Sequence, residues 1–154
     1  SACSTKAEIS MYCVDVNVLI NAYVADQRHS DLAFNQLVRL RAGPRELGIL
    51  PIVATGFLRL TTDPRVLPEP SPIDEALEFL DALLLSRHVH IVDPGPQYWE
   101  IFRVLVREHG PVGPDMTDVH IAAAAMSLGA ELISFDRGFA RFRDLSWNNP
   151  ARSA

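Results

Sequence analysis

The sequence predicts an α/β fold: one domain with a central parallel sheet flanked by helices on both faces, an α/β/α sandwich. Three observations carry this. Short apolar runs alternate with longer segments whose apolar residues recur at helical spacing, the order of a parallel sheet joined by helical crossovers. The short runs are apolar throughout rather than alternating, the pattern of strands covered on both faces. At 154 residues and 48% hydrophobic, the chain suits a single domain with its own core.

Met11-Tyr12-Cys13-Val14 is the first strand, closed by Asp15, and Val18, Leu19, Ala22 and Tyr23 then fall at helical spacing. A second helix over 31–41 presents Leu32, Phe34, Leu37, Val38 and Leu40 and is closed by Gly43-Pro44. Residues 47–53 read as a strand or a strand-to-helix junction, and 57–60 as helix. Pro64, Pro68 and Pro70 make 63–70 a loop. A long helix to about residue 86 follows, with Ser71 as its cap, Pro72 at its first position, and Asp74 and Glu75 in its first turn. Val89-His90-Ile91-Val92 is a strand, 98–108 an amphipathic helix, and 110–114 a loop. An alanine-rich helix over 117–128 stops at Gly129, and a strand over 131–135 leads into Asp136.

The net charge of −5 argues against strong non-specific binding to nucleic acid. It leaves a nuclease open, because carboxylates that await cations make the metal-free chain more acidic than the working one. Lys6 is the sole lysine beside thirteen arginines. Arginine suits bidentate phosphate contacts, although genome composition explains the bias equally. Cys3 and Cys13 match no zinc spacing, and Cys13 reads as a small buried hydrophobe. No apolar run approaches the roughly 20 residues of a membrane span, and residues 1–10 are polar, unlike a signal peptide. A cytoplasmic protein without a membrane partner is expected. Residues 1–10 read as an N-terminal extension or a tag remnant, 11–150 as the domain, and 151–154 as a C-terminal tail.

Asp15 and Asp136 each lie just past the carboxyl end of a predicted strand, where open parallel sheets bind ligands, and Asp118 opens a helix after a loop. All three can meet at one edge of the sheet. Three carboxylates held together repel one another unless a proton or a cation intervenes, and oxygen-only donors favour a hard ion such as Mg²⁺ or Mn²⁺. Each residue also has a structural reading. An aspartate after a strand is commonly a turn or cap residue, Asp115 reads as a cap with Asp118 in the first turn, and Asp63 and Asp93 before prolines read as turn formers. His120 reads as structural, and His88 and His90 have no metal-partner pattern. Spacing alone leaves both sets of readings open. It does exclude a phosphate-binding P-loop, a Gly-x-Ser-x-Gly elbow and a dinucleotide fingerprint, none of which occurs. A phosphoacceptor domain would want a catalytic lysine, and Lys6 lies outside the predicted fold.

Four runs in order resemble one family. Val14-Asp15-Val16-Asn17-Val18-Leu19-Ile20 resembles the opening motif of PIN domains. Asp118-Val119-His120-Ile121-Ala122-Ala123-Ala124-Ala125 resembles their acidic, alanine-rich helix, and Leu132-Ile133-Ser134-Phe135-Asp136-Arg137-Gly138-Phe139 their last motif. Gly56 through Val66 and the closing Arg141-Phe142…Leu145-Ser146-Trp147 are similar to one subgroup, the VapC-type toxins of type II toxin–antitoxin pairs. The resemblance spans Met11 to about Pro150. It implies a Mg²⁺-dependent endoribonuclease, with Mn²⁺ as a possible substitute, that cuts structured RNA such as tRNA or ribosomal RNA and inhibits translation. It also implies a homodimer and a cognate VapB-type antitoxin. Carried onto this chain, Asp15, Asp118 and Asp136 are catalytic and bind metal, and Asn17 orients Asp15 or a water. Apart from the resemblance, Arg137, Arg141 and Arg143 follow Asp136 closely and are candidate contacts to RNA phosphates or to the dimer partner, with a solvated surface the default for at least one.

Two departures bear on the number of metal ions. Gly56 stands where the family usually has a glutamate, and Gly138 where a second aspartate is usual. Asp115 is the candidate replacement ligand, ahead of Asp26 and Glu46. Two other functional readings remain: a degenerate PIN domain acting as a binding module, and a PIN nuclease of RNA processing.

Overall fold

A computed structural model describes residues 10–152; Cys3, Lys6, nearly all of the expected extension and the end of the expected tail lie outside the described residues. Five strands and six helices follow in the order β1 (Met11–Val14), α1 (Val16–Tyr23), α2 (Ser30–Arg41), β2 (Glu46–Ile49), α3 (Pro51–Thr61), α4 (Ile73–Leu84), β3 (Val89–Ile91), α5 (Tyr98–His109), α6 (Asp115–Leu128), β4 (Ala130–Ile133) and β5 (Trp147–Asn148), with a 3₁₀ turn at Arg137–Arg141 between the last two strands. The sheet order is β3-β2-β1-β4-β5 and every pairing is parallel. Parallel strands need crossovers, and crossovers are right-handed. The outward run β1-β2-β3 and the return to β4 therefore place their helices on opposite faces. Helix contacts divide the same way: α1 touches α2 and α3, α3 touches α4, and α5 touches α6.

Both faces of the central strands are dry. Cys13, Val14, Leu47, Ile49, Leu132 and Ile133 are fully or almost fully buried, as continuous apolar strands require. Burial pushes the Cys13 thiol up to about 12, so it stays protonated and packs as a hydrophobe. Ala122, Ala123, Ala124 and Ala125 are all buried, and these short side chains let α6 lie close to the sheet. Gly129 ends α6 at φ 63°, a left-handed conformation that glycine adopts without steric cost.

Several local expectations need correction. Ser71 does not cap α4; Pro72 takes the cap position, and the Ser71 hydroxyl pairs with the Tyr23 hydroxyl instead, at 2.5 Å. Asp115 does not cap α6 either; it is the first helical residue, after Pro114. In α2 the core takes Ala33, Leu37 and Leu40, while Phe34 and Val38 are exposed. The stretch 47–53 divides into the end of β2 and the start of α3, where Pro51 occupies the first turn. β5 and the 3₁₀ turn carry no periodicity to read. β5 is held by Leu132 N–H donating to Ser146 O at 2.8 Å and Ser134 N–H donating to Asn148 O at 3.1 Å.

Phe57 is fully buried, with its ring edge-on to Tyr23 at 5.3 Å and tilted against Phe79 at 5.3 Å, and it ties α3 to α1 and α4. Phe57→Ala should cost about 3–5 kcal/mol. Urea unfolding should show this as a lower midpoint at unchanged slope; an unchanged midpoint would mean the cluster is not part of the cooperative core.

Candidate active site

Topology chooses the place before any side chain does. The chain builds β2 and β3 on one side of β1, then β4 and β5 on the other. β1 and β4 are the neighbours where the winding reverses, and in open parallel sheets ligands bind beyond the carboxyl ends at such a reversal. Asp15 is the residue after β1, and its N–H donates to Ile133 O at 3.0 Å, extending the β1–β4 ladder by one step. Asp136 follows β4 within three residues. α6 leads directly back into β4, so its amino end, with Asp115 and Asp118, returns to the same edge.

Ser134 joins these pieces. Its hydroxyl donates to Asp15 Oδ2 at 2.7 Å, and it accepts from Asn17 Nδ2 at 3.1 Å and from the Asp136 N–H at 3.1 Å. A hydroxyl has one donor and two acceptor sites, so its capacity is filled. Asn17 also donates to Asp15 Oδ2 at 3.2 Å and accepts from the Phe135 N–H at 3.2 Å, which fixes which end of the amide is oxygen. Asp15 Oδ1 accepts from the Val16 N–H at 2.8 Å, so the residue caps α1 as well. Asp136 is exposed, and its Oδ1 accepts from the Gly138 N–H at 2.8 Å.

The electrostatics show that the aspartates feel one another. Burial pushes the Asp15 carboxyl above its ordinary range, and the Asp136 charge adds to this; hydrogen bonds from Ser134 and Val16 pull the other way and do not win. Burial likewise pushes Asp118 up to about 6, reinforced by the charges of Asp136, Asp15 and Asp115 and opposed by Arg141. Arg141 Nη2 lies 3.8 Å from Asp118 Oδ2. Asp15 and Asp118 line a cleft of about 820 Å³ with Thr55, Gly56, Arg59 and Thr117. The donors are oxygens only, and their mutual repulsion is what a hard cation would relieve, so these residues fit a divalent ion such as Mg²⁺. Among the described residues no three His, Cys, Asp or Glu side chains are gathered closely enough to hold a metal ion between them. The carboxylates edge an open cleft, compatible with an ion that keeps several waters and uses one or two carboxylates.

Of the residues named from sequence, Asp15, Asp118, Asp136, Asn17 and Arg141 come together. Asp115 is exposed one helical turn before Asp118 and adds to its repulsion. Arg137 is exposed and lines a separate cavity of about 550 Å³ with Trp147 and Arg152. Glu46 is not a replacement ligand: it begins β2 at the opposite end of the sheet, 2.6 Å from His90 Nε2. Asp26 is exposed beyond α1 and is not among the charges acting on Asp15 or Asp118. His120 faces α5, with Nδ1 2.5 Å from the Tyr98 hydroxyl, a structural place. Sequence reasoning missed Ser134 and Arg59. Ser134 lay inside a quoted motif, but only the β1–β4 register shows what it joins. Arg59 likewise lay inside a quoted run, with its helical spacing from Thr55 and Gly56 as a further signal.

The PIN domain family model matches residues 12–145. Ribonuclease VapC43 of Mycobacterium tuberculosis is 42% identical over 141 residues, covering 91% of this chain and 95% of that protein. Two solved structures share the fold. VapBC2 of Rickettsia felis, bound to a DNA fragment from its promoter, has a TM-score of 0.66 at 20% identity and covers 90% of this chain and 98% of its own. VapC20 of Mycobacterium tuberculosis, a Sarcin-Ricin loop cleaving toxin, has a TM-score of 0.61 at 16% identity and covers 86% and 94%.

Two outcomes follow from this geometry. Ser134→Ala leaves partly buried donors on Asn17 and Asp136 without their acceptor, and should cost about 1–3 kcal/mol in denaturant unfolding; a neutral result would mean the hydroxyl is replaced by water at no cost. Asp118 holds its proton more tightly in the folded than in the unfolded chain, so its contribution favours folding at low pH and is lost as pH rises through about 6. In chelator, the stability of Asp118→Asn relative to wild type should therefore grow as pH is raised from 3.8 to about 6. A flat difference in thermal melts across that window would assign Asp118 ordinary acidity.

Proposed function

The chain belongs to the PIN domain family, in its VapC branch, and on that premise we propose that it is a metal-dependent endoribonuclease, the toxin of a toxin–antitoxin pair, working through Asp15, Asp118 and Asp136. The observation that carries this reading is the shared charge across the cleft: burial, Asp136 and Asp15 together lift the Asp118 carboxyl to about 6. A fold with no use for a cation gains nothing by gathering carboxylates at its ligand-binding edge.

Asp15, Asp118 and Asp136 would hold the ion, with Asp115 at the rim. When bound, a hard ion such as Mg²⁺ or Mn²⁺ supplies Lewis acidity to the phosphodiester and acidifies water. The chain's own residues do the rest. Ser134 and Asn17 fix the Asp15 carboxylate, so its free lone pairs face the cleft rather than turning with solvent. Arg59 on the cleft wall, and Arg137 further out, meet RNA phosphates as bidentate donors. The amino end of α6 adds partial positive charge on the same side.

The substrate class we favour is structured RNA. It rests on the VapC relatives, one of which is described as cleaving the Sarcin-Ricin loop. A cognate VapB-type antitoxin and a homodimer complete the assembly; VapBC complexes among the structures of like fold support the antitoxin. No helix among the described residues is long and apolar enough to cross a membrane, and we place the activity in the cytoplasm, where the RNA is.

Purified protein should cleave a structured RNA only with Mg²⁺ or Mn²⁺ present. Asn17→Ala should lose about 10- to 100-fold, the usual cost of removing a group that orients a metal ligand. Asp15→Asn and Asp118→Asn should lose more, with circular dichroism unchanged. Normal cleavage by both aspartate variants would refute the site. Partner binding without cleavage or growth arrest at any metal concentration would favour a binding module. Absence of an antitoxin-like reading frame beside the gene would favour RNA processing.

A further inference from the structure

Resting on the nuclease reading above, we propose that Arg141 is a built-in cation of the acidic cleft: it supplies the positive charge that a second metal ion would otherwise bring, so the site takes a single divalent ion.

The charge count motivates this. Asp15, Asp118 and Asp136 carry three negative charges when ionised, and one divalent ion leaves the group net negative. The substrate then adds a phosphodiester of the same sign, in a cleft whose walls are partly desolvated. Arg59 lines the cleft wall and can meet the phosphate, but a cation beside the carboxylates themselves is either a second ion or another side chain.

Arg141 is placed for that task. It ends the 3₁₀ turn that Asp136 begins, so one short turn carries both charges. Its guanidinium is held in three directions: Nη1 donates to Gly138 O at 2.6 Å, Nη2 lies 3.8 Å from Asp118 Oδ2, and Cζ sits 4.4 Å from the centre of the Phe142 ring. Among the described residues it is the one cation within 4.0 Å of Asp15, Asp118 or Asp136. At 3.8 Å the pair is close enough to share charge and too long to be a closed hydrogen bond. The guanidinium is therefore fixed but not consumed. Arginine stays ionised at every working pH, and its planar fork suits a phosphate oxygen pair.

Gly138 makes the placement possible. A Cβ there would stand 2.9 Å from Arg141 Nη1 and 3.0 Å from Asp136 Oδ1, inside normal contact for both. Gly138 is not among the residues with positive φ, so the backbone does not require glycine. The space does. A Cβ at 138 would crowd the guanidinium out of its present place, and a longer carboxylate side chain would contend for the place the cation now has. The lack of a carboxylate at 138 and the presence of Arg141 beside Asp118 are two sides of one arrangement.

The test is calorimetric titration of the whole chain with Mn²⁺, run beside single-turnover cleavage of an RNA stem-loop, on wild type, Arg141→Met, Arg141→Lys and Gly138→Ala. Wild type should bind one ion per chain. Arg141→Met keeps the apolar stem on Phe142 and should bind Mn²⁺ about fivefold more tightly or take a second ion, because a unit charge about 4 Å away no longer competes. It should nonetheless cleave about 10²- to 10³-fold more slowly at saturating metal, as expected on losing a preorganised charge at the reacting phosphate. Arg141→Lys should recover part of that loss. Gly138→Ala, whose new Cβ meets the flexible end of Arg141 at 2.9 Å and Asp136 Oδ1 at 3.0 Å, should move in the same directions by less and should stay folded. Two ions per wild-type chain, or an Arg141→Met protein with wild-type metal affinity and stoichiometry or wild-type cleavage, would overturn the inference alone. Wild type that binds no Mn²⁺ at millimolar concentration would overturn the nuclease reading and this inference with it.

Discussion

β1 and β4 lie side by side in parallel, with Val14 opposite Ile133, and Asp15 carries the ladder one bond further. Parallel strands end at the same edge, so the residues that follow them arrive together however far apart they are in the chain. Asp15 and Ser134 are 119 residues apart and meet at 2.7 Å for this reason. A shift of one residue in the β1–β4 register would turn Ser134 to the other face and remove the hydroxyl that joins Asp15, Asn17 and Asp136. The winding order makes the same pair of strands the reversal point of the sheet. The crevice and the groups that fill it thus have one cause.

That cause has a cost. Asp15 is about 7% exposed, and a carboxylate so placed loses most of its hydration. Three donors offset part of the loss, yet desolvation outweighs them in the direction of its acidity. Desolvation, and after it the charges of Asp136 and Asp15, push Asp118 up to about 6 against the pull of Arg141. The fold tolerates this because the surrounding core is dry and closely packed. Small side chains along α6 bring that helix against the sheet, and with it the carboxylate that begins the buried stretch. Packing here serves charge placement: larger residues at 122–125 would hold Asp118 away from Asp15.

Most of the fold was legible because strand and helix periodicity is local. β1, α1, α3, α5 and the alanine-rich helix follow from runs of a few residues. The errors also share a physical pattern. Ser71 and Asp115 are good capping residues by type, but a cap depends on where the backbone first turns helical, and prolines at 72 and 114 moved that point. Phe34 and Val38 fit an apolar stripe, yet the neighbours that packed on α2 left them outside. β5 has two residues and exists only because β4 offers an edge to pair with. Glu46 was a fair candidate ligand from composition alone; its position at the start of a strand rather than past its end puts it at the wrong end of a parallel sheet.

By itself the sequence determined the α/β class, the single domain and the family resemblance, and through that resemblance it nominated the three aspartates, because each is written in short runs. Only the tertiary structure decided how those aspartates are held and balanced. That Ser134 is the hub, that Arg59 stands on the cleft wall, that Arg141 lies beside Asp118 in space left by Gly138, and that Glu46 plays no part all depend on register and winding. Hydrogen bonds and ion pairs act over a few ångströms, whereas the residues they join lie up to 119 positions apart in the chain. Periodicity does not carry that information; the closure of β4 against β1 does.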